Sequence, residues 1–336
     1  VPTIKDVAKA AGKSITTVSR ALNNYSDVSP TTKAQILKIA KEMGYIPNQS
    51  AKSLVKQKNN TLAIILSGLE KDGGKDNIVY SLLSGMYAFA ETINHEVALF
   101  TTSSAKQKEK SYLQFCNEHN IGGAVLNGIR TDDPYFSELI EADFPCVFID
   151  VHVEGKRTCN ISIDNYQGSK EAVEYLISLN HKKIAMINGR KEATVSIERE
   201  RGYKAALIEN NIKFDDNLIV YADYLEEKGY QYTKKLLKEN PDITAIFCAS
   251  DMMAIGAMRA LTDLNIKVPD QISIIGFDDI PLSKYTTPPL TTIRQDFYLM
   301  GYEAGKQLSK LMNNEPVEKT IYFPYEFIIR ESVKRI

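Results

Sequence analysis

Eight short apolar runs recur along the chain, at 62–66, 97–100, 124–126, 147–149, 184–187, 218–221, 245–248 and 272–275. Between them lie stretches with helical periodicity, at 78–93, 106–119, 165–179, 196–211, 225–239 and 252–265. Strands that alternate with helices must cross over in one hand, which gives parallel sheets covered by helices on both faces. Eight such runs in 336 residues suit two doubly wound lobes rather than one. Ligands in such sheets bind beyond the carboxyl ends of the strands, so a two-lobed chain carries its site in the cleft. The residues at those ends are Ser67, Asn127, Asp150, Ser250 with Asp251, and Asp278 with Asp279. Any one of them could merely cap a helix or form a turn. Carboxylates, amides and hydroxyls repeated on many strands favour a site for a polyhydroxylated ligand.

The first 58 residues differ in kind from this body. Ile4, Val7, Ala8 and Ala11 recur at helical spacing, Thr3 with Asp6 forms a capping-box start, and Gly12 ends the turn. A second helix follows, with Ser14 as its N-cap and Val18, Ala21 and Leu22 facing inward. Ile15, Thr16, Thr17, Ser19 and Arg20 then face outward, the pattern of a helix-turn-helix whose second helix reads a groove. Ser29 and Pro30 start a third helix, whose Ile36, Leu37, Ile39, Ala40 and Met43 close a small core before Gly44. Periodicity alone fits an ordinary helical hairpin equally well, and charge decides between the two. Residues 1–58 hold ten Lys/Arg against three acids, a net +7, while the remainder holds 31 against 39, a net −8. A concentrated positive head suits a polyanion. After it, Asn48 can cap a helix over 49–55 with Ala51, Leu54 and Val55 apolar. A helix this short is marginal in water and is expected to fold only against a partner.

Several classes of function are disfavoured. No apolar run approaches the ~18 residues of a membrane span, and the chain opens directly on the head without a secretory leader, so a cytoplasmic protein is expected. Cys116, Cys146, Cys159 and Cys248 are scattered without a CxxC pair, which predicts buried thiols rather than disulfides or metal ligands. No metal site and no cofactor are expected. The stretch from Gly68 to Asp76 misses the spacing of a phosphate loop and reads as a surface loop. The acids could be arranged as a glycosidase pair, but sequence supplies neither their separation nor a raised pKa, and an enzyme is disfavoured.

These residues closely resemble the LacI/GalR family of bacterial transcription regulators. The likeness is carried by Thr3 to Ala8, by Thr17, Val18, Ser19, Arg20, Ala21, Leu22 and Asn23, and by Gly44, Tyr45, Pro47, Asn48, Ala51 and Leu54. It continues through Asp164 and Asn165, Arg199 before Gly202, Ser250 and Asp251, Asp278 and Asp279, and the stretch from Pro288 to Phe297. The resemblance implies a small all-α helix-turn-helix head joined by a hinge helix to a two-lobed α/β body, periplasmic-binding-protein-like, with doubly wound parallel sheets. Its expected boundaries are a head over 1–46, a hinge over 47–59 and a body over 60–336. Within the body, one lobe takes about 60–160 plus 291–321 and the other about 161–290 plus 322–336.

The resemblance also implies roles. As a homodimer on near-palindromic double-stranded operator DNA, each head would set Ile15, Thr16 and Arg20 against base edges and Thr3, Ser14, Thr17, Ser19 and Asn23 against phosphates. Leu54, with Ala51 beside it, would wedge into the central minor groove. A sugar effector would contact Ser67, Asn127, Asp150, Arg199, Ser250, Asp251, Asp278 and Phe297, with Tyr224 covering its apolar face. Ser250 stands where the lactose repressor has asparagine, and the loop near 70–77 is longer, so the ligand need not be a galactoside. Without a leucine-rich tail, a dimer is expected rather than a tetramer. The function implied is repression of carbohydrate-utilisation genes under control of a small sugar. The alternative is a catabolite-control regulator governed by a phosphorylated protein partner.

Overall fold

The computed structural model describes residues 2–22, 25, 27–45, 61–67, 76–102, 110–128 and 136–336. The chain divides into two compact units, residues 1–59 and residues 60–336.

In the first unit, helices α1 (Ile4–Ala11), α2 (Ile15–Leu22) and α3 (Pro30–Glu42) bury Val7, Ala8, Ala11, Val18, Ala21, Ile36 and Ala40 against one another. So small a core leaves the helix ends much of the work. The Asp6 carboxylate accepts from the Thr3 backbone N–H at 2.8 Å and from the Thr3 hydroxyl at 2.7 Å, holding the first turn of α1. Gly12 closes that helix with φ of 62°, a left-handed conformation that costs a side-chain-bearing residue more than glycine. The Ser14 hydroxyl accepts the Thr17 N–H at 3.0 Å and starts α2. Ser29 does the same for α3, accepting the Thr32 N–H at 3.3 Å, with Pro30 at the first helical position where no donor is needed. The expected hinge residues, Ala51 and Leu54 included, lie outside the described residues, as do Asn23 and the loop 68–75.

The second unit alternates strands and helices as expected: β1 (Thr61–Ser67), α4 (Asp76–Thr92), β2 (Glu96–Thr102), α5 (Tyr112–Glu118), β3 (Ala124–Asn127), α6 (Phe136–Glu141), β4 (Cys146–Ile149) and β5 (Thr158–Ile163). Then follow α7 (Asn165–Ser178), β6 (Ile184–Asn188), α8 (Thr194–Glu209), β7 (Ile219–Tyr221), α9 (Glu226–Glu239), β8 (Ala245–Cys248), α10 (Asp251–Asp263) and β9 (Ser273–Ile275). The chain returns through β10 (Thr292–Arg294), α11 (Phe297–Met312), β11 (Thr320–Phe323) and β12 (Glu326–Ile328). One sheet runs β11-β5-β4-β3-β1-β2 and the other β7-β6-β8-β9, and every pair within them is parallel.

Two strands of the larger sheet were not among the eight apolar runs. Strand β5 is interrupted by Asn160, which is buried but fully used: its Oδ1 accepts the Val153 N–H at 2.9 Å, and its Nδ2 donates to the carbonyls of Val153 at 2.9 Å and Lys319 at 3.0 Å. A polar residue thus fastens the edge strand β11 where periodicity would have placed an aliphatic one. Strand β11 comes from the far end of the chain and has exposed Tyr322, so its run lacks the buried-strand signature.

The lobe borders also fall differently from expectation. Thr291 pairs with Ile275 and Arg294 with Asp278, and β10 pairs antiparallel with β12, so 291–294 joins the second lobe rather than the first. Helix α11 goes to the first, burying Phe297, Met300, Ala304, Leu308 and Leu311 among Leu62, Ile64 and Leu66. Tyr322 and Phe323 complete β11 in the first sheet, and the second lobe regains the chain at β12. The chain therefore crosses between the lobes three times, after Ile163, after Arg294 and after Phe323.

Candidate functional site

The outer face of α2 carries the side chains the sequence assigned to it. Val18 and Ala21 are buried, whereas Thr16 and Arg20 are exposed and Ile15 is 46% exposed. Ile4, Ile15, Thr16, Ser19, Arg20 and Tyr25 line a shallow hollow on this face. Exposed aliphatic and hydroxyl groups beside one guanidinium can contact base edges and phosphates without first unpacking a core. The Ser14 and Thr17 hydroxyls lie 2.8 Å apart at the start of α2, and Thr3 is exposed at the start of α1. These three hydroxyls therefore stand at helix N-termini, where backbone N–H groups favour an anion, with the Thr3 proton already given to Asp6.

The second unit holds a cavity of about 980 Å³, including its open mouth, at the carboxyl ends of both sheets. Seven of the residues expected to bind an effector line it: Asn127, Asp150, Arg199, Tyr224, Ser250, Asp278 and Phe297. They come from strand ends, helices and a turn far apart in sequence. Asp150, immediately after β4, adopts φ of 61° and accepts the Ser162 hydroxyl at 2.7 Å. Arg199, on α8, is only 3% exposed. Its Nε donates to Asn165 Oδ1 at 2.9 Å, its Nη1 donates to the Ala249 carbonyl, and its Nη2 stands 3.6 Å from Asp278 Oδ1. The guanidinium carbon lies over Phe277, 3.7 Å from the ring centroid. Asp278 itself, 6% exposed with φ of 110°, accepts the Gln295 side-chain amide at 2.7 Å.

A buried charge with so many partners is fixed in place, and what remains is directed at the cavity. Gln295 completes this row and was missed from sequence. It lines the cavity and is 5% exposed, yet its Oε1 has no hydrogen-bond partner among the described residues. A buried carbonyl oxygen without a donor costs about 1–3 kcal/mol, so it marks the place where a ligand hydroxyl would fit. Arg190, Glu192 and Thr194 also line the cavity and were missed. The strand-end rule that found Asp150 would have found them too, since they follow β6.

Tyr224 closes one wall. Its φ is 65°, its hydroxyl lies 2.6 Å from Ser196 Oγ, and burial pushes its phenol above the ordinary range. The ring passes so close to Gly189 that a Cβ there would sit 2.0 Å from Tyr224 Cζ. Glycine is the residue that leaves room for this aromatic wall.

Two expected contacts are placed otherwise. Asp251 is fully buried beneath the cavity, not in its lining: its Oδ1 accepts the Thr292 hydroxyl at 2.6 Å and its Oδ2 the Ile280 N–H at 2.8 Å. Its side chain turns inward because Ser250 already caps α10, accepting the Met253 N–H at 3.3 Å, so Asp251 is released to fasten the 276–292 segment. Burial, and then the neighbouring Asp278, raise its pKa well above the ordinary carboxylate value. Ser67 ends β1 nearly buried, at 8% exposure, and is not among the residues lining the cavity. The four cysteines are buried free thiols, and burial raises Cys116 and Cys159 to about 12, which leaves no reactive thiolate there.

A helix-turn-helix unit and a two-lobed cleft unit on one chain define a ligand-responsive DNA-binding regulator. Residues 3–48 match the bacterial regulatory proteins of the lacI family, and residues 173–333 match a periplasmic binding protein-like domain. The chain is 34% identical to the probable HTH-type transcriptional repressor ExuR of Bacillus subtilis, with 99% of each chain covered. Among solved structures it resembles the lac repressor dimer bound to operator and the anti-inducer ONPF, with TM-score 0.83, 28% identity and 99% of each chain covered. It also resembles a complex of the transcriptional regulator CelR with cellobiose, with TM-score 0.75 and 27% identity over 99% of this chain and 100% of that one. The protein belongs to the LacI family of bacterial transcription regulators. It is a DNA-binding regulator, not an enzyme. Among the described residues, no helix is long and apolar enough to cross a membrane.

Proposed function

We propose that the protein is a homodimeric repressor of carbohydrate-utilisation genes, released from a near-palindromic operator by a small sugar in the cleft. The observation that carries the effector reading is the row of Arg199, Asp278 and Gln295, buried yet open to the cavity, with one carbonyl oxygen unpaired. Donors and acceptors in fixed alternation match the hydroxyls of a sugar ring, and Tyr224 and Phe297 supply apolar walls for its C–H faces. The CelR–cellobiose complex supports the same ligand class. Exposed Tyr80, Tyr87 and Leu99, on α4 and the edge strand β2, together with Leu282 and Tyr285, offer apolar surface for a second copy.

On DNA, Ile15, Thr16 and Arg20 read base edges, while Thr3, Ser14, Thr17, Ser19 and Asn23 hold phosphates. By the family likeness, Leu54 and Ala51 serve the central minor groove. Effector binding alters operator affinity through a coupling of ~1–3 kcal/mol, or ~5–150-fold.

A thermal-shift screen of the purified protein against mono-, di- and trisaccharides and their phosphates tests the effector reading. A binding sugar raises the melting temperature, because a ligand of the native state stabilises by RT ln(1 + [L]/Kd). No shift across the panel removes the sugar reading in favour of control by a protein partner. Leu54→Ala tests the hinge: operator affinity drops while sugar affinity holds, and an unchanged operator affinity removes Leu54 from the interface.

A further inference from the structure

Arg20 is not presented alone. Its Nη2 lies 2.7 Å from Asp27 Oδ2, and its guanidinium carbon lies 5.1 Å from the centroid of the Tyr25 ring. The backbone makes this arrangement local. The Tyr25 N–H donates to the Arg20 carbonyl at 3.1 Å, closing α2 and bringing the following residues back alongside the last turn. Val28 then packs on the head core next to Asp27. Both charged side chains remain about half exposed, at 47% and 50%.

An exposed ion pair of this kind contributes little to folding. Its position on the face that meets DNA gives it another consequence. A guanidinium has five N–H donors in a rigid fork, and those that serve a guanine edge serve a phosphate equally well. Held at Nη2 by a carboxylate and backed by an aromatic ring, the fork loses rotamers that would reach the backbone and keeps its remaining donors directed outward. The carboxylate also repels phosphates that approach the same hydrogens.

We propose that Asp27 is a specificity-determining positioning residue, holding Arg20 for base readout and opposing its capture by phosphates. This rests on the reading of Arg20 as a base contact. Asp27 thereby raises the ratio of operator to random-sequence affinity, not the total affinity.

The test uses the full-length protein with two probes: a duplex selected from a random pool by the wild-type protein, and a random-sequence duplex of equal length. Asp27→Asn removes the charge and nearly preserves the shape. Random-duplex binding tightens, the slope of log affinity against log salt steepens by about one, and the affinity ratio falls by about tenfold. Asp27→Glu retains the carboxylate and restores part of the ratio. In an Arg20→Ala background, Asp27→Asn leaves the ratio unchanged, since Asp27 acts through the guanidinium. An unchanged ratio in Asp27→Asn, or an equal change in both backgrounds, overturns the proposal and leaves Asp27 a plain surface charge. A ratio unaffected by Arg20→Ala alone instead removes the base-reading assignment, and the proposal falls with it.

Discussion

The reading face of the head and the wall of the cleft both place an arginine beside an aspartate, and they use the pair differently. Arg20 and Asp27 are half exposed and only seven positions apart in sequence. Arg199 and Asp278 are 3% and 6% exposed, lie on separate elements, and stand 3.6 Å apart with Asn165, Ala249, Phe277 and Gln295 completing the surroundings. Water screens the first pair, so it adds little to folding and acts by orienting a guanidinium whose other donors stay available to DNA. Removing one member of the second strands a charge in a low-dielectric interior. An exposed pair suits a contact that must form anew, and a buried pair suits a site that must be ready before its ligand.

Breaking the buried pair has the largest expected effect. Arg199→Ala lowers unfolding free energy by about 3–5 kcal/mol and abolishes the sugar-induced gain in stability, read together in urea melts with and without ligand. Retained stability would show that water replaces the guanidinium and that the wall is less rigid than described. Asp251→Ala separates support from contact: stability falls by about 1–3 kcal/mol through the unpaired Ile280 N–H, while sugar affinity, measured by calorimetry under folding conditions, changes far less than in Asp278→Ala. Equal losses in the two variants would return Asp251 to the contact set.

On the head, Arg20→Ala leaves the melting temperature within error yet costs about 1–3 kcal/mol of discrimination between operator and single-base variants, measured by fluorescence anisotropy. Ser14→Ala removes the cap of α2 and costs about 1 kcal/mol in the stability of the first unit, followed by hydrogen exchange of its amides.

A pH titration sharpens the contrast from the other side. Burial acts to raise the pKa of Asp279, but hydrogen bonds from Ser283, Arg294 and Arg330 outweigh it and hold the value below the ordinary one. The carboxylate thus contributes stability that is present above the unfolded-state pKa of about 3.9 and is lost as pH falls through the lower folded value. In Arg330→Met the folded value rises, so this acid-side loss is smaller and is complete at higher pH, whereas Asp27→Asn, on the exposed pair, leaves the acid limb of the body unchanged.

The strand and helix alternation was legible because each buried strand of a parallel sheet must be apolar on both faces, a pattern local to a few residues. Strand β5 escaped because Asn160 satisfies its polar groups through partners at 153 and 319, a compensation that no local window contains. The same limit governs the site. Strand-end position proposed Asn127, Asp150, Ser250 and Asp278, and all four line the cavity, but it also proposed Ser67, Asp251 and Asp279, which do not; Asp279 is taken up by Ser283, Arg294 and Arg330. The family likeness supplied Arg199, Tyr224 and Phe297, residues on helices or in a turn that no strand-end rule reaches.

By itself the sequence determined a basic three-helix head, an α/β body of parallel sheets, and the face of α2 that meets solvent, because periodicity, caps and charge all act over a few residues. Only the tertiary structure decided that Asp251 turns under the cleft while Asp278 faces it, that Gln295 leaves an oxygen unpaired, and that Asp27 closes on Arg20. Side-chain direction at a strand end depends on which partners the rest of the fold brings within 3 Å or so, and those partners come from segments as distant as Asp251 and Thr292.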